Sequence, residues 1–327
     1  MRKWLDRYYG RLRTFKANYV LLNLMNPARM VHARRMYRKY GISRSPLLPI
    51  DSSVMPSAGT EQPWLDRADA RERLGRDARI QALPPDIRQA LLQWPDKGYV
   101  ILRGLFTAAE VDAVNGEIDR LVGEGVVDFN FTGRKIMFAY RKSAAVRAMA
   151  NDRRILDVLD LLLGRRMRLF QTINFLTGSE QAAHSDTIHM TTHPLGYLAA
   201  AWVALETITP DNGPLVFYPG SHRLPYILNP TFDHGGGAFT IGEDAYARYE
   251  STVARAIEEH HLQAETFLAR PGDVLIWHAN LLHGGMRMST PNASRRSMAA
   301  HYFAEDVLCY HELTQRVAWV EEDTAAV

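Results

Sequence analysis

His184-Ser185-Asp186 sets an imidazole and a carboxylate two residues apart. On an extended chain, side chains at i and i+2 leave the same face about 7 Å apart along the backbone, so a metal ion can bridge them. Two protein ligands leave a first-row ion underbound, and a third must come from elsewhere. A facial His/Asp/His set leaves three coordination positions open, which suits iron with a bound cosubstrate and oxygen. The block from Arg270 to Gly285 offers that third ligand. Its Pro271-Gly272-Asp273 turn opens an apolar strand; His278 lies within the strand and His283 just past its end, and both are candidates. Twelve residues beyond His283 stands Arg295, with Arg296 beside it. A guanidinium near a metal suits a dicarboxylate cosubstrate, because its planar fork binds a carboxylate bidentately and stays charged.

These residues need rigid elements to hold them. From Arg168 onward the sequence breaks into short apolar runs separated by turn residues: 168–176, 198–205, 215–218, 266–269, 274–278 and 297–303. Short strands at this spacing, with few helices between them, predict a double-sheet jelly roll or barrel. Before it the pattern is helical. Pro84 to Gln93 reads as a helix and Gly98 to Arg103 as a strand. Thr107, with Glu110 three positions on, caps a helix running to about Val122. Leu156 to Leu163 is apolar enough for a buried helix. The stretch from Asn229 to Glu250, with Gly235-Gly236-Gly237, reads as a long loop able to cover a site.

Composition bounds the remaining possibilities. The chain has 327 residues and one cysteine, Cys309, which excludes an intrachain disulfide framework or a thiolate zinc site. The longest N-terminal apolar run, Tyr19 to Leu22, is too short for a signal peptide or a membrane span, so a cytoplasmic protein is expected. The net charge of +3 conceals an asymmetry: residues 1–45 hold twelve Lys/Arg and one acid, Asp6, a net +11. The rest holds 27 Lys/Arg and 35 Asp/Glu, a net −8. Trp4, Tyr8, Leu12, Phe15, Tyr19 and Leu22 recur at helical spacing beside Lys3, Arg7 and Arg11, and Pro27 should end that helix. Ala28 to Tyr40 predicts a second basic helix stopping at Gly41. Such a segment either docks on an anionic membrane face, making the protein peripheral there, or packs its stripe on its own domain. Nucleic acid is not expected, since the body is acidic and lacks a nucleic-acid module. Residues 51–63, rich in Ser, Pro and Gly, read as a linker between a basic segment (1–50) and the main domain (64–327).

Several ordered segments resemble the phytanoyl-CoA dioxygenase family of iron(II)/2-oxoglutarate oxygenases, over roughly Lys97 to Phe303. They are Gly98 to Phe106 with its following helix, His184-Ser185-Asp186, Trp202 to Glu206, Asn212 to His222, Pro271-Gly272-Asp273, Leu281 to Gly284, and Arg295. The resemblance implies a mostly β protein with flanking helices and a double-stranded β-helix core of the cupin-like jelly-roll kind. It implies iron(II) on His184, Asp186 and His283, with 2-oxoglutarate and O2 as cosubstrates. It also implies Arg295 on the distal carboxylate of 2-oxoglutarate and Gln171 as a further cosubstrate contact. The implied activity is hydroxylation of an unactivated C–H bond with release of succinate and CO2. Arg295 is preferred to Arg296 because His301 follows it at the family's interval.

Other residues have plainer readings beside functional ones. His189 and His193 follow the metal motif and are candidates for substrate contact, though loop histidines are common. His222 in Pro-Gly-Ser-His more often stabilises a turn. Trp202 walls a site or simply fills a core strand. Lys135, Tyr140 and Arg141 precede the barrel where substrate is often recognised. Substrate identity is open between a small molecule and a lipid-linked one, the latter favoured only by the basic N-terminus. A cupin-like metal isomerase or hydrolase would use the three ligands without Arg295, and a non-catalytic jelly roll would need neither.

Overall fold

The computed structural model describes residues 15–320 apart from 58, 60, 128, 131, 132, 238, 239, 291 and 292. The Trp4, Tyr8 and Leu12 part of the N-terminal stripe lies outside the described residues. Helices α1 (Lys16–Met25) and α2 (Val31–Lys39) open the described chain, separated by a 3-10 turn at Pro27–Met30. Pro27 ends the first helix as its missing N–H dictates. Four short helices follow: α3 (Ala70–Arg76), α4 (Ala78–Gln81), α5 (Pro85–Leu91) and α6 (Trp94–Lys97). Then come β1 (Tyr99–Leu102), α7 (Ala108–Gly123), β2 (Ile136–Met137), α8 (Ala144–Ala150), α9 (Arg153–Leu163) and β3 (Met167–Phe175). Thr107 and Glu110 form the predicted reciprocal cap on α7.

The strand-rich half contains β4 (Thr191–His193), β5 (Leu198–Ala204), β6 (Leu215–Phe217), β7 (Glu265–Phe267), β8 (Val274–His278), β9 (His283–Gly285), β10 (Ser297–Ala304), β11 (Leu308–His311) and β12 (Arg316–Val317). The principal sheet is antiparallel in the order β1-β8-β5-β10-β3-β2, faced by a smaller sheet β7-β6-β9, with β12-β11-β4 as a third. Period-two alternation sends the two faces of the principal sheet to different cores. Tyr99, Ile173, Phe175, Trp202, Leu275, Trp277 and Ala299 meet Leu215, Phe217 and Phe267 of the smaller sheet between the layers. Val203, Ile276, Met298, Ala300 and Tyr302 turn the other way, onto Val111, Ile118, Val146, Leu159 and Leu162 of the helices. The molecule is a jelly roll with a helical layer on its outer face.

The Pro271-Gly272-Asp273 turn is where the sheet and helical layers are fastened. Gly272 has φ +87°, and a Cβ there would sit 2.0 Å from the Phe106 carbonyl oxygen, so only glycine fits. Asp273 accepts from Gly104 N at 2.7 Å and Arg103 Nη1 at 2.8 Å, pinning the end of β1 to the start of β8. One segment departs from its reading as a loop. The last six residues of 229–250 form the start of α10 (Ala245–Glu259), which buries Ala245, Tyr249 and Val253. Those three positions are spaced i, i+4, i+8, a helical stripe obscured by the polar residues between them.

Candidate metal and cosubstrate centre

Backbone pairing brings the two metal-motif segments together. His184 N donates to His283 O and His283 N donates to His184 O, each at 2.9 Å, the closed pair of an antiparallel bridge. Residues opposed in this way project to the same side, and their ring centroids lie 4.5 Å apart. Asp186, two residues on from His184, joins them, and the candidate ligand atoms of His184, Asp186 and His283 all lie within 4.8 Å of one another. All three residues are buried. His278 is elsewhere: its Nε2 is 3.3 Å from Asp66 Oδ2 and its Nδ1 accepts from Asn280 N.

The imidazoles are oriented for metal binding. His184 Nδ1 lies 2.9 Å from Ala182 O and His283 Nδ1 lies 2.9 Å from Leu281 O. A carbonyl can only accept, so each Nδ1 carries the proton and each Nε2 offers a lone pair. Burial pushes both histidines below their ordinary range, and each also feels a neighbouring imidazole. For Asp186, burial works to raise the carboxyl, but His283 and His301 outweigh it and hold the group ionised. Neutral imidazoles with an ionised carboxylate are the protonation states a divalent ion requires. Trp277 completes the cage: its Nε1–H donates to Asp186 Oδ2 at 2.8 Å and its ring lies 4.7 Å from that of His283. Oδ1 is left facing the histidines, 3.6 Å from His283 Nε2 and 3.5 Å from His301 Nε2.

Arg295, Ser297, Ala299 and His301 alternate along one face of β10 and its approach, the face shared with Trp202 and Trp277. Arg295 is 2 % exposed. Its Nη1 donates to Ser297 Oγ at 2.9 Å, its guanidinium lies 5.0 Å from the Phe175 ring and 5.4 Å from that of Trp202, and its Nε has no partner. Among the described residues it meets no carboxylate. Burial pushes it down to about 10, against the weaker pull of Glu206. An interior cation without a counter-ion is costly, and an incoming carboxylate relieves that cost. His301 Nδ1 is also buried without a partner on the same face. Arg296 points outward, where its Nη2 pairs with Asp119 Oδ1 on α7 at 2.9 Å. Gln171 lies opposite His301 in the β3–β10 register, two residues before Ile173 on the inward face. The buried ligand set and the two orphaned polar atoms fit a divalent metal with a carboxylate cosubstrate.

Around this centre the remaining sequence candidates divide. His189 joins it, with its ring 5.9 Å from His184 and 5.6 Å from Tyr246, and burial pushes it down to about 4. Lys135 Nζ donates to Gln181 Oε1 at 2.7 Å, and Gln181 Nε2 lies 3.3 Å from His184 Nε2 and 3.2 Å from Tyr246 Oη. His193 is apart, its ring edge-on to Tyr40 at 5.1 Å. His222 packs against His278 at 5.6 Å and directly beneath Gly98, a structural position. Tyr140 and Arg141 stay on the helical side, Tyr140 Oη donating to Phe170 O. Sequence reasoning gave no role to Trp277, Ser297, Gln181 or Tyr246, and used His301 only as a spacing mark. Period-two alternation from Arg295 could have found Ser297 and His301; nothing local marks Gln181 or Tyr246.

Comparison with known proteins agrees with this geometry. A family model described as phytanoyl-CoA dioxygenase (PhyH) matches residues 94–297. The ectoine dioxygenase of Sphingopyxis alaskensis is 30% identical over 252 residues, covering 70% of this chain and 81% of that one. The peroxisomal phytanoyl-CoA dioxygenase of Bos taurus is 23% identical over 243 residues, covering 67% and 68%. The solved structure of EctD from S. alaskensis with 2-oxoglutarate and 5-hydroxyectoine aligns at a TM-score of 0.55 and 22% identity, over 80% of this chain and 87% of that one. The non-heme alpha ketoglutarate dependent carbocyclase SnoK, from nogalamycin biosynthesis, aligns at 0.57 and 16% identity, over 72% and 89%. At these identities the structural likeness is one of fold, whereas the family model spans most of the jelly roll and both metal-motif segments. The chain therefore belongs to the phytanoyl-CoA dioxygenase family of iron(II)/2-oxoglutarate-dependent oxygenases.

Proposed function

We propose that this dioxygenase hydroxylates an unactivated C–H bond of a small-molecule substrate, with His184, Asp186 and His283 holding iron(II) and Arg295 holding the distal carboxylate of 2-oxoglutarate. The observation that carries this reading is the buried, counter-ion-free guanidinium of Arg295 on the same inward face as the ligand cage. A cupin-like isomerase or hydrolase would gain nothing from that costly charge. When bound, iron(II) with 2-oxoglutarate and O2 supplies an oxidant strong enough for such a bond, with succinate and CO2 as by-products.

The chain's own residues set the conditions. The Nδ1–H bonds to Ala182 and Leu281 fix both imidazoles, and Trp277 occupies one oxygen of Asp186, so each ligand presents a single donor atom. Trp202 and Phe175 wall the Arg295 end and keep water from the carboxylate pair. Gln171 and the unpartnered His301 Nδ1 stand along the same face as further polar contacts for the cosubstrate. His189, Tyr246 and Lys135 line the side nearer α10, where substrate contact is assigned.

Named relatives act on ectoine and on phytanoyl-CoA, which supports a small-molecule substrate without choosing one. Oxygenase chemistry is assigned to residues 64–327, with 51–63 joining them to the basic segment 1–50. That segment extends the reading to a substrate presented at an anionic membrane surface. The test is succinate formation by purified protein with iron(II) and O2, screened against a metabolite library. Succinate that rises with one substrate class supports the assignment. One metal ion per chain with no 2-oxoglutarate consumption under any condition overturns it in favour of an isomerase or hydrolase.

A further inference from the structure

Helix α1 is amphipathic in the reverse of the usual sense. Its two buried residues are polar: Lys16 Nζ donates to Gly237 O at 2.6 Å, and Asn23 Oδ1 accepts from Trp319 Nε1 at 2.9 Å. Its leucines and methionine face outward, with Leu21 58 %, Leu24 56 % and Met25 68 % exposed and Phe15, Leu22 and Val31 exposed beside them, while Tyr19 and Val20 are half-buried. A helix that packed its stripe on its own domain would bury the leucines and expose the lysine and asparagine. Several large apolar groups together on one helix are an interaction surface, unlike a scattered exposed leucine.

The charge of the segment that carries that face points to what it meets. Between Phe15 and Arg44 there is no acidic residue. Arg29, Arg34, Arg35, Arg38 and Lys39 are all exposed along the Pro27–Met30 turn and α2. Among the described residues Arg34 and Arg38 meet no carboxylate, whereas Lys39 pairs with Asp306 at 2.7 Å. A second copy of this chain docked through the same face would bring its own arginines against these. A leucine-rich helix followed directly in the chain by exposed cations matches an anionic bilayer, where apolar side chains enter the acyl boundary and guanidinium groups meet phosphates.

We propose that α1 and α2 seat this protein on an anionic phospholipid bilayer, with Leu21, Leu24 and Met25 inserted and Arg34 and Arg38 at the headgroups. The docking rests on the oxygenase reading only for its purpose, which is to meet a substrate held at the membrane. It also has a route to the site. Lys16 and Phe15 contact Gly237 and Thr240, and that loop leads into α10, whose Tyr246 packs against His189 beside His184.

The experiment uses the full chain with phosphatidylcholine vesicles, with and without phosphatidylserine, by co-sedimentation across a salt series. Binding is expected only with phosphatidylserine and should fall as salt screens it. Leu21→Ser/Leu24→Ser/Met25→Ser should abolish binding. Arg34→Gln/Arg38→Gln should weaken it roughly thirtyfold, the fold-change for two headgroup charges. Both variants should keep the wild-type melting temperature, because the altered side chains are exposed. Truncation is the poorer test, since it would strip Met30, Met36 and Tyr37 from their packing on Leu308 and Tyr310. Failure of the full chain to bind, or undiminished binding by the triple variant, overturns the proposal. A dimer in light scattering that the triple variant disperses, with no vesicle binding, gives the face to a second copy and also overturns it. Succinate formation measured on each variant in solution reports separately on the oxygenase reading.

Discussion

Trp277, on β8, donates its indole N–H to Oδ2 of Asp186, which lies 91 residues earlier, and both side chains are almost wholly buried. The bond spends one carboxylate oxygen and leaves the other for a metal. In Trp277→Phe a ring still packs on His283, but Oδ2 loses its donor. Metal affinity should fall about ten- to a hundredfold, as for other outer-shell partners of metal ligands. Cobalt(II) titration should show weaker binding and altered visible absorption as Asp186 becomes free to chelate. Identical affinity and spectrum in the variant would remove Trp277 from this role.

The ligand assignment separates two histidines five residues apart. His283→Ala, like His184→Ala and Asp186→Ala, should abolish turnover and stoichiometric metal binding while leaving the fold intact. His278→Ala should keep one metal ion per chain and instead lower the melting temperature, because it removes a buried ring from Trp94, His222 and Asp66. The opposite outcome would move the third ligand to His278.

Neighbouring arginines likewise part company. Arg295→Ala should raise the apparent constant for 2-oxoglutarate at least tenfold, since losing a buried charge-assisted pair costs on the order of 2–5 kcal/mol. Metal binding should survive. Arg296→Ala breaks only a partly exposed pair with Asp119, worth about 0–1 kcal/mol, and should leave the constant unchanged. Steady-state kinetics on both variants, with 2-oxoglutarate varied, checks the pair.

Glu312 gives the protein a pH-dependent stability. Its carboxyl is fully buried, accepting from Ser52 N and Oγ and from Asn229 N, with Asp51 close by. Burial pushes it up to about 7, Asp51 adds to the rise, and the hydrogen bonds only partly offset it. A raised carboxyl favours the protonated fold, so its contribution is complete below the unfolded value near ~4.3 and is lost as pH climbs through about 7. Stability should therefore decline between roughly pH 4 and 7, by an amount on the order of 1–3 kcal/mol, and the melting temperature should fall with it. Glu312→Gln should flatten that decline and be the more stable form at pH 8. A variant as pH-sensitive as the parent would show that another group is responsible.

What was legible in the sequence follows from the range of the forces involved. The cap at Thr107, the Pro271-Gly272-Asp273 turn and the strands expected at 198–205 and 274–278 are encoded by neighbours in sequence, and they are present, the first ending at Ala204. The jelly roll and the proximity of His184, Asp186 and His283 were legible through spacing and family resemblance together. Alternation explains why Arg295 points inward while Arg296 meets Asp119, once the edge of β10 is known. The Trp277–Asp186 bond, the Gln181 contact to His184 and the arrival of Tyr246 depend on long-range packing and leave no local pattern. The start of helix α10, residues 245–250, was read as part of a loop because its buried stripe is only three residues within a polar surround.

The peptide groups of His184 and His283 bond to each other, and a main-chain carbonyl holds each ring through its Nδ1, so the spacing of the two imidazoles belongs to the main chain. A ring pair set this way cannot close down on a smaller cation or open for a larger one. Affinity among divalent transition ions should then follow their intrinsic ranking, in which cobalt, nickel and copper all exceed iron. Protein isolated on immobilised nickel will carry nickel into the assay and read as inactive. Chelation followed by anaerobic reloading with ferrous salt should restore it, and the metal inventory of each preparation decides whether a silent enzyme is a wrong assignment or a poisoned one.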